Sequence, residues 1–188
     1  QTKLQQFASA HFPAGFAANV HANLLDKHSI NPDDGNICLY LDPISSTQPF
    51  SSDLLAKLGD WAANINLARL SVTDHGDPMT LFAPEAPIVC FGKIAVSPPP
   101  GAFLQATRDG ERMLQASIAE IAGPDRHFVD LFSGCGTLSL PLLDRATGLL
   151  AVEQSEQALS ALKAGADAAG LGGRVTVKVR NLFSTPLI

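Results

Sequence analysis

The chain has few of the features that fix a protein by covalent links or place it in a membrane. Its three cysteines, Cys38, Cys90 and Cys135, are an odd number at wide spacing with no Cys-x-x-Cys pair. That argues against a disulfide framework and against a structural zinc site, and it suits a reducing cytoplasm. No apolar run approaches a membrane span, and the start Gln1-Thr2-Lys3 lacks the charged and apolar regions of a signal peptide. Basic charge is also short: the net charge is −5. Residues 1–97 carry 5 Lys and Arg against 9 Asp and Glu, and 98–188 carry 8 against 9, so neither half has the field that draws a domain onto phosphate backbones. An initiating methionine is missing, and the chain stops at Ile188 soon after its last strand signal, so the expectation is a piece of something longer. Apolar residues are abundant: 46% of 188 residues is ample for one large core or two small ones.

The first half reads as a small α+β domain over 1–97. Val20–Leu25 and Ile37–Leu41, with turn formers from Asn31 to Asn36 between them, predict a hairpin. Leu54, Leu58, Trp61 and Ile65 fall on one helical face, with Ser51 or Ser52 as N-cap. Ala68–Thr73 and Met79–Phe82 around Asp74-His75-Gly76-Asp77-Pro78 predict a second hairpin, and Ile88–Val96 predicts one more strand. Three successive prolines, Pro98, Pro99 and Pro100, followed by Gly101, place the domain boundary there.

Beyond the prolines the pattern alternates. Met113, Leu114, Ile118 and Ile121 predict an amphipathic helix ending at Gly123-Pro124; His127–Leu131, Leu149–Glu153 and Val175–Val179 predict strands; Thr137–Ala146 and Glu156–Ala169 predict the helices between them. This is the first half of a doubly wound, Rossmann-like parallel sheet, with its ligand site at the carboxyl ends of the strands.

Those ends carry the chemistry. Asp130 closes the first apolar strand, Gly134 and Gly136 follow in a tight turn, and Glu153 closes the second strand, where a carboxylate can accept from two ribose hydroxyls. A dinucleotide fingerprint needs a third glycine, and Ser139 stands in its place. A Gly-x-Gly loop with a downstream acid better suits S-adenosyl-L-methionine, which has no pyrophosphate to cradle. Glycine turns after strands also occur in many α/β proteins without a cofactor.

Phe103-Leu104-Gln105, Asp130-Leu131-Phe132-Ser133-Gly134-Cys135-Gly136-Thr137 with Leu140-Pro141-Leu142, Ala151-Val152-Glu153 and Asn181-Leu182 together resemble the 5-methyluridine (uracil-C5) RNA methyltransferases, closely over about 88–188 and loosely before that. The resemblance implies a class I, S-adenosylmethionine-dependent fold, truncated here to its first three strands. It implies cofactor contacts from Gln105, Asp130, Phe132, Glu153 and Asn181, with Gly134 and Gly136 forming the turn. Thr137 stands where the family often has asparagine, and its hydroxyl is left to cap a helix or touch the ligand. The implied reaction is methylation of carbon 5 of a uridine in rRNA or tRNA: an enzyme cysteine adds to carbon 6, carbon 5 takes the methyl, and a base removes its proton. In the family that cysteine and base lie after the fourth strand, and none of Cys38, Cys90 or Cys135 matches the nucleophile, so this chain is expected to be inactive alone. Its unfinished sheet has an exposed edge that invites a homodimer. No membrane association is expected.

Plainer readings stand beside each residue. Gln105 suits a helix start, Phe132 a core and Asn181 a turn; Cys135 suits packing; Asp74, His75 and Asp77 suit a turn better than a metal; His11, His21 and His28 lack ligand spacing; Arg174, Lys178 and Arg180 suit a solvated strand face. Two further functions fit: a non-catalytic cofactor-binding or RNA-associated module, and a methyltransferase acting on a small molecule or protein.

Overall fold

The computed structural model describes residues 2–12, 17–25, 36–43, 50–74, 76–124 and 126–186. They form two compact units, Gln1–Pro87 and Ile88–Ile188.

The first unit runs α1 (Thr2–His11), β1 (Ala18–Leu24), β2 (Ile37–Pro43), α2 (Ser52–Asn64), β3 (Arg69–Asp74) and β4 (Asp77–Phe82), with its strands in the order β1-β2-β3-β4. Both expected hairpins form, β1 with β2 and β3 with β4, and the β2–α2–β3 crossover makes the central pair parallel. Ser51 caps α2 by accepting from the Leu54 amide at 3.2 Å. The helix then buries Leu54, Leu58 and Ala62 against Leu41, Leu70 and Val72 of the sheet. Burying one such leucine is worth about 1.5–3 kcal/mol. Helix α1 is absent from the sequence expectation, although Leu4, Phe7 and His11 share a face; Phe7 is buried with its ring 5.4 Å from that of Trp61. The turn residues 31–35, His28 and His75 lie outside the described residues.

The second unit contains β5 (Val89–Phe91), β6 (Ile94–Val96), α3 (Arg108–Ala122), β7 (His127–Leu131), β8 (Gly148–Glu153), α4 (Glu156–Ala168) and β9 (Val175–Val179). The sheet β7-β8-β9 is parallel throughout, as expected. Four details differ from the sequence reading, each for a physical reason.

Ile88–Val96 is a hairpin, not one strand. Gly92, with φ 61°, and Lys93 reverse the chain so that Val89 pairs with Val96. This hairpin belongs to the second unit, because β6 packs on α4 where Gly165 lets Ala95 and Val96 approach closely. The division therefore falls at Pro87/Ile88, ahead of the prolines. Pro98 is buried, and Pro99 and Pro100 form part of a cleft wall, so the proline run is part of a folded unit.

The segment from Thr137 to Ala146 is a series of turns leading into a 3-10 helix, Leu140–Asp144, rather than an α-helix. Pro141 has no N–H to give the Thr137 carbonyl, which breaks the i→i−4 ladder. Gln115 Nε2, reaching over from α3, donates to that carbonyl at 2.8 Å.

Helix α3 spans the expected residues, with Thr107 as N-cap and Gly123 at its end, but Met113, Leu114 and Ile121 are exposed. Its other side faces the unit: Gln115 meets Thr137, and Arg145 donates to the Ala119 carbonyl at 2.9 Å. Strand β7 similarly leaves Val129 58% exposed, whereas Leu149, Ala151 and Val175 are buried.

The basic residues near β9 also differ from a strand-face reading. Arg174 precedes the strand and reaches the Leu143 and Ala146 carbonyls; Arg180 follows it and donates to the Thr185 and Pro186 carbonyls. Only Lys178 stands on β9 itself, exposed.

Candidate functional site: a cleft at the strand ends

A cleft of about 540 Å³ opens at the carboxyl ends of β7 and β8. One wall is the 99–105 segment, the floor is the loop after β7, and the far side is Glu153 with the start of α4. Of the residues singled out from the sequence, Gln105, Asp130, Phe132, Gly134, Cys135, Thr137 and Glu153 line it. Gln105 does so from an extended segment three residues ahead of α3, not from a helix.

Glu153 organises the floor. Its Oε2 accepts from the Gly134 amide at 3.2 Å, and its Oε1 accepts from the Gln154 and Ser155 amides at 2.8 and 3.0 Å. The carboxylate thus joins the glycine turn to the entry of α4, where Ser155 caps the helix by accepting from Ala158 N.

The two glycines do different work. A Cβ on Gly134 (φ 52°) would meet nothing within 4 Å, so that position is open space. A Cβ on Gly136 (φ 86°) would lie 2.7 Å from Leu140 Cγ and 2.9 Å from Leu162 Cδ1. Gly136 is not among the lining residues; it lets the loop settle onto the core.

Phe132 also has positive φ, 62°, rare for an aromatic residue. Its amide donates to the Val152 carbonyl at 2.9 Å, and its ring, 54% exposed, lies 5.1 Å from that of Phe183. Neither Phe183 nor Asn181 is among the lining residues. The Asn181 Oδ1 accepts from the Phe183 and Ser184 amides, so its side chain shapes the turn after β9, which is the plainer of the two readings. Sequence reasoning passed over Ser133, Gln154, Ser155 and Gln157, all of which line the cleft; the loop register could have given Ser133.

The charge of the cleft is one-sided. Asp130 and Glu153 line it and, among the described residues, no Lys or Arg does, so it suits a ligand with cationic groups and repels a pyrophosphate. Burial pushes the Asp130 carboxyl above its ordinary value near 3.8; Ser139 close by lowers it in part, and Glu153 raises it further. A carboxyl whose folded value is raised contributes most to stability when protonated, and that contribution falls as pH rises from the ordinary value to the raised one. Asp130→Asn is therefore expected to flatten the stability profile across that window and to stabilise the fold at neutral pH. Urea unfolding from about pH 3.5 to 7 measures this, and a wild-type slope in the variant would contradict it.

Among the described residues no group of three His, Cys, Asp or Glu side chains is placed to hold a metal ion. No described helix is long and apolar enough to cross a membrane. Cys135 is 2% exposed, Cys38 is buried with its thiol pushed up by burial and partly restored by Arg69, and Cys90 is exposed on β5, outside the cleft.

No protein-family model matches the chain. Over 124 residues it is 43% identical to an uncharacterised RNA methyltransferase of Mesorhizobium japonicum, spanning 64% of this chain and 28% of the relative. Over 157 residues it is 38% identical to one of Zymomonas mobilis, spanning 82% of this chain and 37% of the relative. The chain is a homologue of RNA methyltransferases. This methyltransferase homologue also matches the 23S rRNA (uracil(1939)-C(5))-methyltransferase RlmD of Ralstonia nicotianae, at 33% identity over 86 residues, which is 45% of this chain and 19% of that one. It therefore spans well under half the length of the curated relatives it matches. The tRNA (uracil-54, C5)-methyltransferase of Pyrococcus abyssi, solved with S-adenosyl-L-homocysteine, superposes with a TM-score of 0.65 at 12% identity, over 96% of this chain and 45% of that one. Methanocaldococcus jannaschii Trm5, solved with adenosine, gives 0.54 at 10% identity, over 98% of this chain and 54% of that one. At such identities the likeness is one of fold, the Rossmann-like α/β fold of class I methyltransferases.

Proposed function

We propose that the chain supplies the S-adenosylmethionine-binding half of an RNA methyltransferase that acts on carbon 5 of a uridine in rRNA or tRNA. The observation that carries the cofactor reading is Glu153, held at the end of β8 between the Gly134 amide and the Gln154 and Ser155 amides that lead into α4, in a cleft whose described lining has two carboxylates and no Lys or Arg. Glu153 accepts from the ribose hydroxyls, the open space over Gly134 admits the ligand, and Gln105, Phe132 and Thr137 close around it. The cofactor supplies an electrophilic methyl group. Asn181 acts by shaping the turn beside Phe183, next to Phe132.

The uracil-C5 reading is supported by the RlmD relative and by the order of the motifs. None of the three cysteines suits the nucleophile: Cys135 lines the cleft but is buried in the loop that would hold the methyl donor, Cys38 is buried, and Cys90 is outside the cleft. RNA is the partner, the cytoplasm the compartment, and self-association uses an outer strand of the β7-β8-β9 sheet. Incubating the native gene product with unmodified rRNA and tRNA, then analysing nucleosides by mass spectrometry, is expected to give 5-methyluridine. A different methylated nucleoside would contradict the uracil-C5 assignment, and methylation independent of RNA would favour a small-molecule or protein substrate.

A further inference from the structure

We infer that Gln115 is a positioning residue for the cofactor cleft, its side chain standing in for the backbone donor that Pro141 lacks and so fixing the stretch of loop that carries Thr137; this rests on the cofactor reading above. Along the turn after β7 the backbone closes on itself. The Ser133 carbonyl accepts from the Gly136 amide at 2.9 Å, the Gly136 carbonyl from the Leu140 amide at 2.9 Å, and the Ser139 carbonyl from the Leu142 amide at 3.0 Å. The Leu140 bond spans four residues, so the next donor in line, the one for the Thr137 carbonyl, belongs to residue 141. That residue is proline and has no N–H. Gln115 Nε2 donates there instead, at 2.8 Å, from a helix 22 positions earlier in the chain.

What this bond holds is the floor of the cleft. Thr137 and Leu138 line it and Gln115 is not among the lining residues, so Gln115 acts through the loop and not on a ligand. The bond also joins two sides of the cleft, because Gln105 stands in the opposite wall only three residues ahead of α3. Helix α3 meets the loop and the segment after it through the Gln115 bond and the Arg145 bond to the Ala119 carbonyl, while Met113, Leu114 and Ile121 of its apolar stripe are exposed. A part-buried carbonyl that loses its donor is costly. The loop relieves that cost by turning the carbonyl toward water, away from the arrangement that admits the ligand, and apparent affinity falls with the population of the competent arrangement.

The test is a double-mutant cycle on the 188-residue chain, read by calorimetry as affinity for S-adenosyl-L-homocysteine. Gln115→Met keeps the length of the side chain and its suitability for a helix but removes the donor. It is expected to weaken binding about tenfold. Pro141→Ala gives residue 141 an N–H for the Thr137 carbonyl, and alone it is expected to bind within about twofold of wild type. The double variant is expected to recover to within about threefold of wild type, a rescue that lost packing at residue 115 would not show. Wild-type affinity in Gln115→Met, or a double variant as weak as Gln115→Met alone, overturns the proposal. Circular dichroism checks folding; should Gln115→Met not fold, Gln115→Asn, which keeps the amide one methylene short of the carbonyl, is read with and without Pro141→Ala by the same criterion. Wild-type protein that does not bind overturns the cofactor reading itself, whereas a failed rescue overturns only the role of Gln115.

Discussion

Glu153→Ala is expected to weaken S-adenosyl-L-homocysteine binding by at least about 100-fold. Two hydrogen bonds from ribose hydroxyls to a charged acceptor are each worth about 1.5–3 kcal/mol, and each 1.4 kcal/mol is about tenfold in affinity. A second effect adds to the first. The same carboxylate holds the Gly134, Gln154 and Ser155 amides, so its removal loosens the loop and the entry of α4 together. Glu153→Gln separates the two contributions, because one amide oxygen keeps some of these bonds while the charge and the second acceptor are lost. Its affinity is expected to lie between those of wild type and the alanine variant. Calorimetry gives the affinities, and circular dichroism checks that each variant is folded. Wild-type affinity in Glu153→Ala would remove Glu153 from the site.

Gly136→Ala is expected to destabilise the second unit by about 2–4 kcal/mol. Positive φ costs an alanine about 1 kcal/mol, and its Cβ would press on Leu140 and Leu162, which are 1% and 0% exposed and have no room to yield. Overpacking of this kind adds about 1–3 kcal/mol. Gly134→Ala is the control: it has the same left-handed backbone but open space around the new methyl, so its cost is expected to stay near 1 kcal/mol. The methyl would instead intrude on the ligand. Denaturant unfolding separates these outcomes, with Gly136→Ala as the unstable variant and Gly134→Ala as the folded one with impaired binding. Equal stability losses would mean that the two glycines do not have the separate roles assigned to them.

The contrast between these glycines indicates what a sequence can reveal. Strand periodicity, the Ser51 cap and the acids closing β7 and β8 are local signals, and apart from Ile88–Val96 the strands and the α2 helix they announce are present with nearly the expected bounds. Gly-x-Gly announces a turn, but which glycine faces a ligand and which faces Leu162 depends on the packing of α4, separated from the loop in sequence. Pro141 was a local warning against an α-helix after the loop, and its consequence, a carbonyl taken by Gln115, is a tertiary contact that no window of sequence contains. The proline run at 98–100 reads as a linker by composition; burial against the unit makes it part of the cleft. The apolar stripe on α3 reads as a buried face, yet Met113, Leu114 and Ile121 are exposed and only Ile118 is half-buried, because the helix turns Gln115 and the Ala119 carbonyl toward the contacts with 137 and 145. Asn181 was legible as a turn former, and its hydrogen bonds are those of a turn.

The measurement closest to the central claim is an amide chemical-shift titration of the isotopically labelled chain with S-adenosyl-L-homocysteine. If the ribose binds at Glu153, the three amides that donate to this carboxylate, those of Gly134, Gln154 and Ser155, shift together and saturate, along with Gln105 and Ser133 across the cleft. Saturating ligand that leaves these amides unmoved, or moves a different set, would contradict the assignment of the cleft as the cofactor site.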